Sequence, residues 1–157
     1  MLNSLQNPMP SYPIKGGWVK LDRQDAALLC AAHWSIVRGY VQGTISGKRV
    51  LLHRLVLGLS EDDPLVDHRD LDGLNNKRKN LRVATKSQNG HNRLKRADNT
   101  SGYKGVYLCR STGRWRAATQ AEGARHKLGR FDDPESAARA YDTAALRLHG
   151  EFARTNF

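Results

Sequence analysis

The stretch Val66-Asp67-His68-Arg69-Asp70-Leu71-Asp72-Gly73-Leu74-Asn75-Asn76-Lys77-Arg78-Lys79-Asn80-Leu81-Arg82-Val83-Ala84-Thr85-Lys86-Ser87-Gln88-Asn89 decides how this chain is read. On composition, residues 66–93 are polar and Asn-rich and look disordered. Their spacings say otherwise. An adjacent Asp67-His68 pair follows an apolar residue, Asn80-Leu81 comes twelve positions after the histidine (80 − 68 = 12), and Asn89 comes twenty-one after it (89 − 68 = 21). Thr85-x-x-Gln88 fits a capping box, in which side chains satisfy the free N–H groups of a first helical turn, so it predicts a helix that carries Asn89. Asp70-x-Asp72-Gly73 imitates part of a calcium loop. That reading fails, because position one would be His68 and position twelve Lys79 in place of a bidentate glutamate.

With these residues at these spacings, roughly residues 50–93 resemble the HNH nuclease family, whose ββα unit holds one divalent metal. The resemblance implies a role for each residue. Cleaving a phosphodiester needs a deprotonated water and a cation that neutralises charge on the phosphate and the leaving oxygen. His68, with an ordinary pKa near 6.5, suits the general base. Asp67, projecting to the other side of a strand end, and Asn89 are the expected metal ligands. Two oxygen ligands with open positions suit magnesium or manganese, and no zinc is expected. Asn80 is expected to orient the loop and the His68 ring through hydrogen bonds, and Asn75 and Asn76 to be turn residues. His53-Arg54-Leu55 matches an apolar-flanked His-Arg often found upstream in this subgroup, with His53 packed on the first hairpin and Arg54 a candidate phosphate contact. His33 and His91 receive no role.

Outward from this stretch, charge is the next signal. The 157-residue chain has a net charge of +11. Residues 76–130 hold 15 Lys or Arg against Asp98 and Glu122, a net of +13, so the remainder sums to −2. Such a concentrated band of cations suits an extended polyanion, and nucleic acid is the commonest. The hydrophobic fraction, 39%, fits small modules with thin cores. No apolar run approaches the length of a membrane span, and the start MLNSLQNPMPSYP lacks the pattern of a secretion signal, so the expected location is the cytoplasm with no membrane partner. Cys30 and Cys109 have no Cys-x-x-Cys partner, which argues against structural zinc and against a disulfide framework, and both read as buried thiols.

The expected fold class is α+β, built as follows. Residues 1–13, with three prolines, read as a flexible arm. Residues 14–93 form the nuclease module with a β-rich N-terminal extension: a short helix near Gln24–Ala32, then a hairpin turning at Ser46-Gly47-Lys48. Residues 94–100 are a basic linker. Beyond it, Gly105–Arg110, Arg114–Gln120 and Arg125–Phe131 are strand-length runs separated by turn residues, an antiparallel meander. Asp133 as N-cap, Pro134 at the first helical position, apolar positions at helical spacing and Gly150 at the end then predict a helix packed on that sheet.

Ser101-Gly102-Tyr103-Lys104-Gly105-Val106, Leu128-Gly129-Arg130-Phe131, Ala137-Ala138-Arg139-Ala140-Tyr141-Asp142 and the ending Ala153-Arg154-Thr155-Asn156-Phe157 occur in the order of the Apetala-two, or ethylene-response-factor, DNA-binding domain, which residues 101–157 resemble. The resemblance implies a three-stranded sheet laid in the major groove of double-stranded DNA and braced by the helix. Lys104, Tyr107, Arg110, Arg114, Arg116, Arg125 and Lys127 are the expected contacts. The plant target cannot be carried over, because Tyr107, Thr112 and Lys127 stand where plant members often place Arg, Trp and Trp. Trp115 and Phe131 read as core, not as stacking platforms.

Together these resemblances imply a modular, homing-type DNA endonuclease of phage or bacterial origin that leaves 5′-phosphate and 3′-hydroxyl ends. One site per chain implies nicking, or a homodimer for a double-strand break. The competing reading is a DNA-binding regulator that keeps the nuclease fold without cleaving.

Overall fold

The computed structural model describes residues 10–157, which divide into two compact units, before and after the junction of Thr85 and Lys86. In the N-terminal unit, β1 (Ser11–Ile14) and β2 (Gly17–Lys20) form an antiparallel ribbon. Residues 11–13 are therefore strand, not flexible arm; Pro13 is tolerated because this strand has an edge where its missing N–H costs no ladder bond. The rest of the expected arm, residues 1–9, lies outside the described residues. The helix expected near Gln24–Ala32 is a 3-10 helix over Arg23–Ala31.

Three strands follow: β3 (Ser35–Val37), β4 (Tyr40–Ile45) and β5 (Lys48–Leu51), antiparallel with β4 central. Their hairpins turn through Arg38-Gly39 and Ser46-Gly47, each pair with both φ values positive, the twist-matched turn that tight hairpins favour. The short helix α1 (Leu52–Leu57) comes next, so His53 sits on a helix and not on a hairpin. An antiparallel pair completes the unit, β6 (Leu65–His68) with β7 (Leu81–Ala84). Val19, Leu21, Trp34, Val41, Leu52, Val56 and Leu81 form its core. Gly43 faces this core for a packing reason: a Cβ there would lie 2.9 Å from the Trp34 ring and the Ala32 methyl.

The C-terminal unit begins with the short helix α2 (Lys86–His91), which follows Thr85 directly, as the capping pattern predicts. The expected linker is bound into this unit: Lys95 Nζ donates to Gly102 O (2.7 Å) and Asn99 Nδ2 to Tyr103 O (2.9 Å). Compactness thus places the boundary some fifteen residues before the one expected near Thr100. Next come β8 (Val106–Cys109), β9 (Arg114–Ala121) and β10 (Ala124–Phe131), an antiparallel meander with β9 central. The helix α3 (Pro134–His149) follows, its first turn capped by Asp133 Oδ1 accepting from Ser136 N (2.7 Å). Alanines 137, 138 and 145 with Tyr141 pack on Val106 and Ala117, and Trp115 and Phe131 pack against this cluster. Of the two cysteines, Cys30 is exposed and Cys109 half-buried, against the expectation of two buried thiols. No helix among the described residues is long and apolar enough to cross a membrane.

Candidate functional sites, one in each unit

Asp67 and His68 end β6, and strand alternation turns their side chains to opposite faces. Asp67 is buried, and Arg82 across the ladder holds its Oδ2 through Nε (2.8 Å) and Nη2 (2.6 Å). His68, also buried, lies against two other rings. The His53 ring meets it edge-on (5.1 Å between centroids, 88°), and Tyr40 packs on both histidines at 5.8 Å. Burial lowers the His68 pKa against the opposing pull of Asp70, the Asn76 side-chain amide, Asp67 and Asp72, so the ring is neutral at pH 7. His53 is held to about 4, by burial first, then by His68 and Arg54.

The polar stretch after His68 is ordered by tertiary hydrogen bonds. Asn80 Nδ2 donates to Asp70 Oδ1 (2.8 Å) and Asn75 O (2.8 Å), while its Oδ1 accepts from Asp70 N (3.1 Å). Asn75 Nδ2 also donates to Asp70 Oδ2 (2.6 Å). From β2, Lys20 Nζ reaches Asp72 (2.8 Å), and its backbone exchanges bonds with Leu74 and Asn76. Arg78 forks onto buried Asp25 (2.7 and 2.9 Å). Asn80 therefore ties the loop together, its amide spent on Asp70 and Asn75, while Asn76, read from sequence as a turn former, is the amide that acts on the His68 ring, favouring its protonated form. Tyr40 was also missed by sequence reasoning; no periodicity links it to residue 68. Arg54 spends its guanidinium on the loop after α1, donating to the carbonyls of Ser60, Glu61, Asp63 and Pro64, and this use competes with the phosphate contact expected of it.

In the C-terminal unit, pairing register sorts the sheet into two faces. Val106, Trp115, Ala117 and Phe131 lie toward α3. The opposite face carries Tyr107, Arg114, Arg116, Arg125 and Lys127, five of the seven expected contacts. Arg130 belongs with them, and a bulge is the reason. Lys127 pairs with Ala118 but Gly129 with Ala117, leaving Leu128 as an extra residue; Arg130 thereby falls opposite Arg116 and Phe131 opposite Trp115. Strict alternation from Lys127 would have put Arg130 inside and Phe131 outside. The Leu128-Gly129 step within a strand was the available signal. Arg125 lies over the Tyr107 ring at 5.1 Å, and Arg114 pairs with Asp132 at 3.0 Å. Arg110 is exposed in the β8–β9 turn.

Lys104 departs from the expected set. It precedes β8, its Nζ donates to His91 O (2.5 Å), and its backbone is clamped by Asn156, which Asp142 holds in turn. Burial first, then Arg154, lowers its pKa to about 8 despite the opposing pull of Asp142. Asn89 lies on α2, in the C-terminal unit.

Residues 101–151 match the AP2 domain, so the sheet-and-helix unit is of the AP2 class. An AP2/ERF and B3 domain-containing protein of Oryza sativa subsp. japonica is 52% identical over 61 residues, 39% of this chain and 16% of that protein. An uncharacterized HNH endonuclease of Acanthamoeba polyphaga mimivirus is 33% identical over 117 residues, 74% of this chain and 60% of the viral protein. Protein 3.8 of Escherichia phage T7 is 38% identical over 89 residues, 57% of this chain and 73% of the phage protein. The chain belongs to the same family as that phage protein. It spans less than two thirds of the rice and mimivirus relatives.

Proposed function

We propose that this chain is a metal-dependent DNA endonuclease whose AP2 unit binds double-stranded DNA and whose N-terminal unit cuts it. The AP2 match supports the DNA-binding half, together with the row of arginines on the free face of the sheet, a surface suited to phosphates and guanine edges. One observation carries the nuclease half: a neutral, buried histidine at the end of a strand, beside a loop that Asn80 locks in place. Similarity to the mimivirus HNH endonuclease supports it too.

In this reading His68 takes a proton from the attacking water, in the protonation state a base requires at neutral pH. Asn80 keeps the loop rigid, and the rings of His53 and Tyr40 fix the imidazole. Among the described residues no three His, Cys, Asp or Glu side chains gather, so a divalent ion would depend on a carboxylate and an amide. Asp67 suits such an ion, since it offers a hard oxygen donor whose plane Arg82 fixes. The second ligand, Asn89, rests on its 21-residue spacing from His68 (89 − 68 = 21). Bound there, magnesium or manganese supplies charge for the phosphate and the leaving oxygen.

Supercoiled plasmid tests the reading. Wild type should nick it with magnesium or manganese, and EDTA or His68→Ala should abolish nicking while DNA binding persists. Binding without conversion in either metal leaves the regulator.

A further inference from the structure

Within the C-terminal unit a cavity of about 820 Å³ joins the free face of the sheet to α2. Tyr107, Gln120 and Arg125 line one side, and Lys86, Ser87 and His91 the other. Its charge is one-sided: Lys86, Lys104 and Arg125 face it, against Glu122 alone among acidic residues. Lys86 is exposed and has no ion-pair partner among the described residues.

This wall is fixed. The His91 ring stacks on His149 at 3.7 Å (14° between planes), Lys104 Nζ donates to His91 O (2.5 Å), and His149 Nε2 lies 3.0 Å from Thr119 Oγ1 on β9. Burial, then Arg154, lowers the Lys104 pKa. Asp142 is the acidic side chain that opposes this at Lys104. Lys86, Lys104 and Arg125 gathered round one opening, against Glu122 alone, favour an anion there.

We propose that this cavity is a phosphate-backbone site, in which Lys86 of α2 and Arg125 of β10 grip a DNA strand as it leaves the sheet face. The inference rests on the sheet face being the DNA-binding surface. It extends that surface into residues 86–91, outside the segment that matches the AP2 domain.

A phosphate contact has a signature that a base contact or a packing role lacks: its loss weakens binding equally on all sequences and flattens the salt dependence. Full-length Lys86→Ala should bind labelled duplexes of two unrelated sequences about three- to tenfold more weakly, with the log–log salt slope reduced by about 0.9. Lys86→Arg should restore both. Circular dichroism should be unchanged, since Lys86 is exposed. Wild-type affinity and slope in Lys86→Ala would overturn the site, and so would a loss confined to one sequence. If Arg116→Ala binds as wild type does, the sheet reading itself fails; if it weakens binding while Lys86→Ala does not, the cavity site alone is wrong.

Discussion

Asn80 concentrates more structural consequence than any other residue near His68. Its amide makes three hydrogen bonds to a loop with little apolar content, and its removal leaves Asp70 N, Asp70 Oδ1 and Asn75 O short of partners. A partly buried polar group left unpaired costs about 1–3 kcal/mol, so Asn80→Ala should lower unfolding stability by about 3 kcal/mol in urea titration and slow nicking at least tenfold. Asn80→Asp should do no better, because it sets an acceptor against Asp70 and the Asn75 carbonyl. His53 gives a pH-dependent prediction. Its folded pKa, about 4, lies below the ordinary 6.5, so between those values the unfolded chain binds more protons. Stability should therefore fall as pH drops from about 6.5 to 4, by up to about 3 kcal/mol, with His68, lowered in the same direction, adding to the loss. His53→Gln should flatten most of this window in acid titrations followed by circular dichroism.

Elements show where sequence reasoning reaches and where it stops. Gly105 has φ +75°, and a Cβ there would fall 2.1 Å from the Tyr141 ring and 2.9 Å from Ala118 O, so strand entry and helix packing meet at an atom that cannot exist. Gly105→Ala should cost about 3 kcal/mol or more, read as a lower melting temperature and loss of DNA binding; a variant that melts within a degree of wild type would show that the helix can retreat. The meander and α3 were legible in advance, because turn pairs and an Asp-Pro helix start act over a few residues. So was an ordering place for Asn80, whose partners Asp70 and Asn75 stand shortly before it in sequence. What stayed hidden depends on distant partners. Arg54 and Lys104 look like free cations in sequence but are consumed by carbonyls, the one by the loop at 60–64, the other by His91. Asn76 takes its place only because β2 pins the loop, the Asn76 N–H donating to Lys20 O. Residues 94–100 read as a linker on composition, yet their bonds to Gly102 and Tyr103 tie them to the following unit.

Across the whole molecule, charge and chemistry are separated along the chain. All four free-face arginines, 114, 116, 125 and 130, come from β9 and β10, and Arg116 and Arg130 form a cross-strand pair there. His68 belongs to the other unit. If affinity comes from the sheet and cleavage from His68, substitutions in the two units should fail in different assays. Arg116→Ala with Arg130→Ala should flatten the salt slope of binding by up to about 1.8, about 0.9 for each phosphate no longer neutralised, and should reduce nicking by raising KM more than by lowering kcat. His68→Ala should leave affinity and slope within twofold of wild type and remove kcat. The first pair tests Arg130 in particular, because it faces outward only if Leu128 is the extra residue of a bulge. Arg130→Ala alone should therefore lower affinity about as much as Arg125→Ala. An Arg130→Ala protein that binds normally but melts early would mean that the strand runs straight past residue 128.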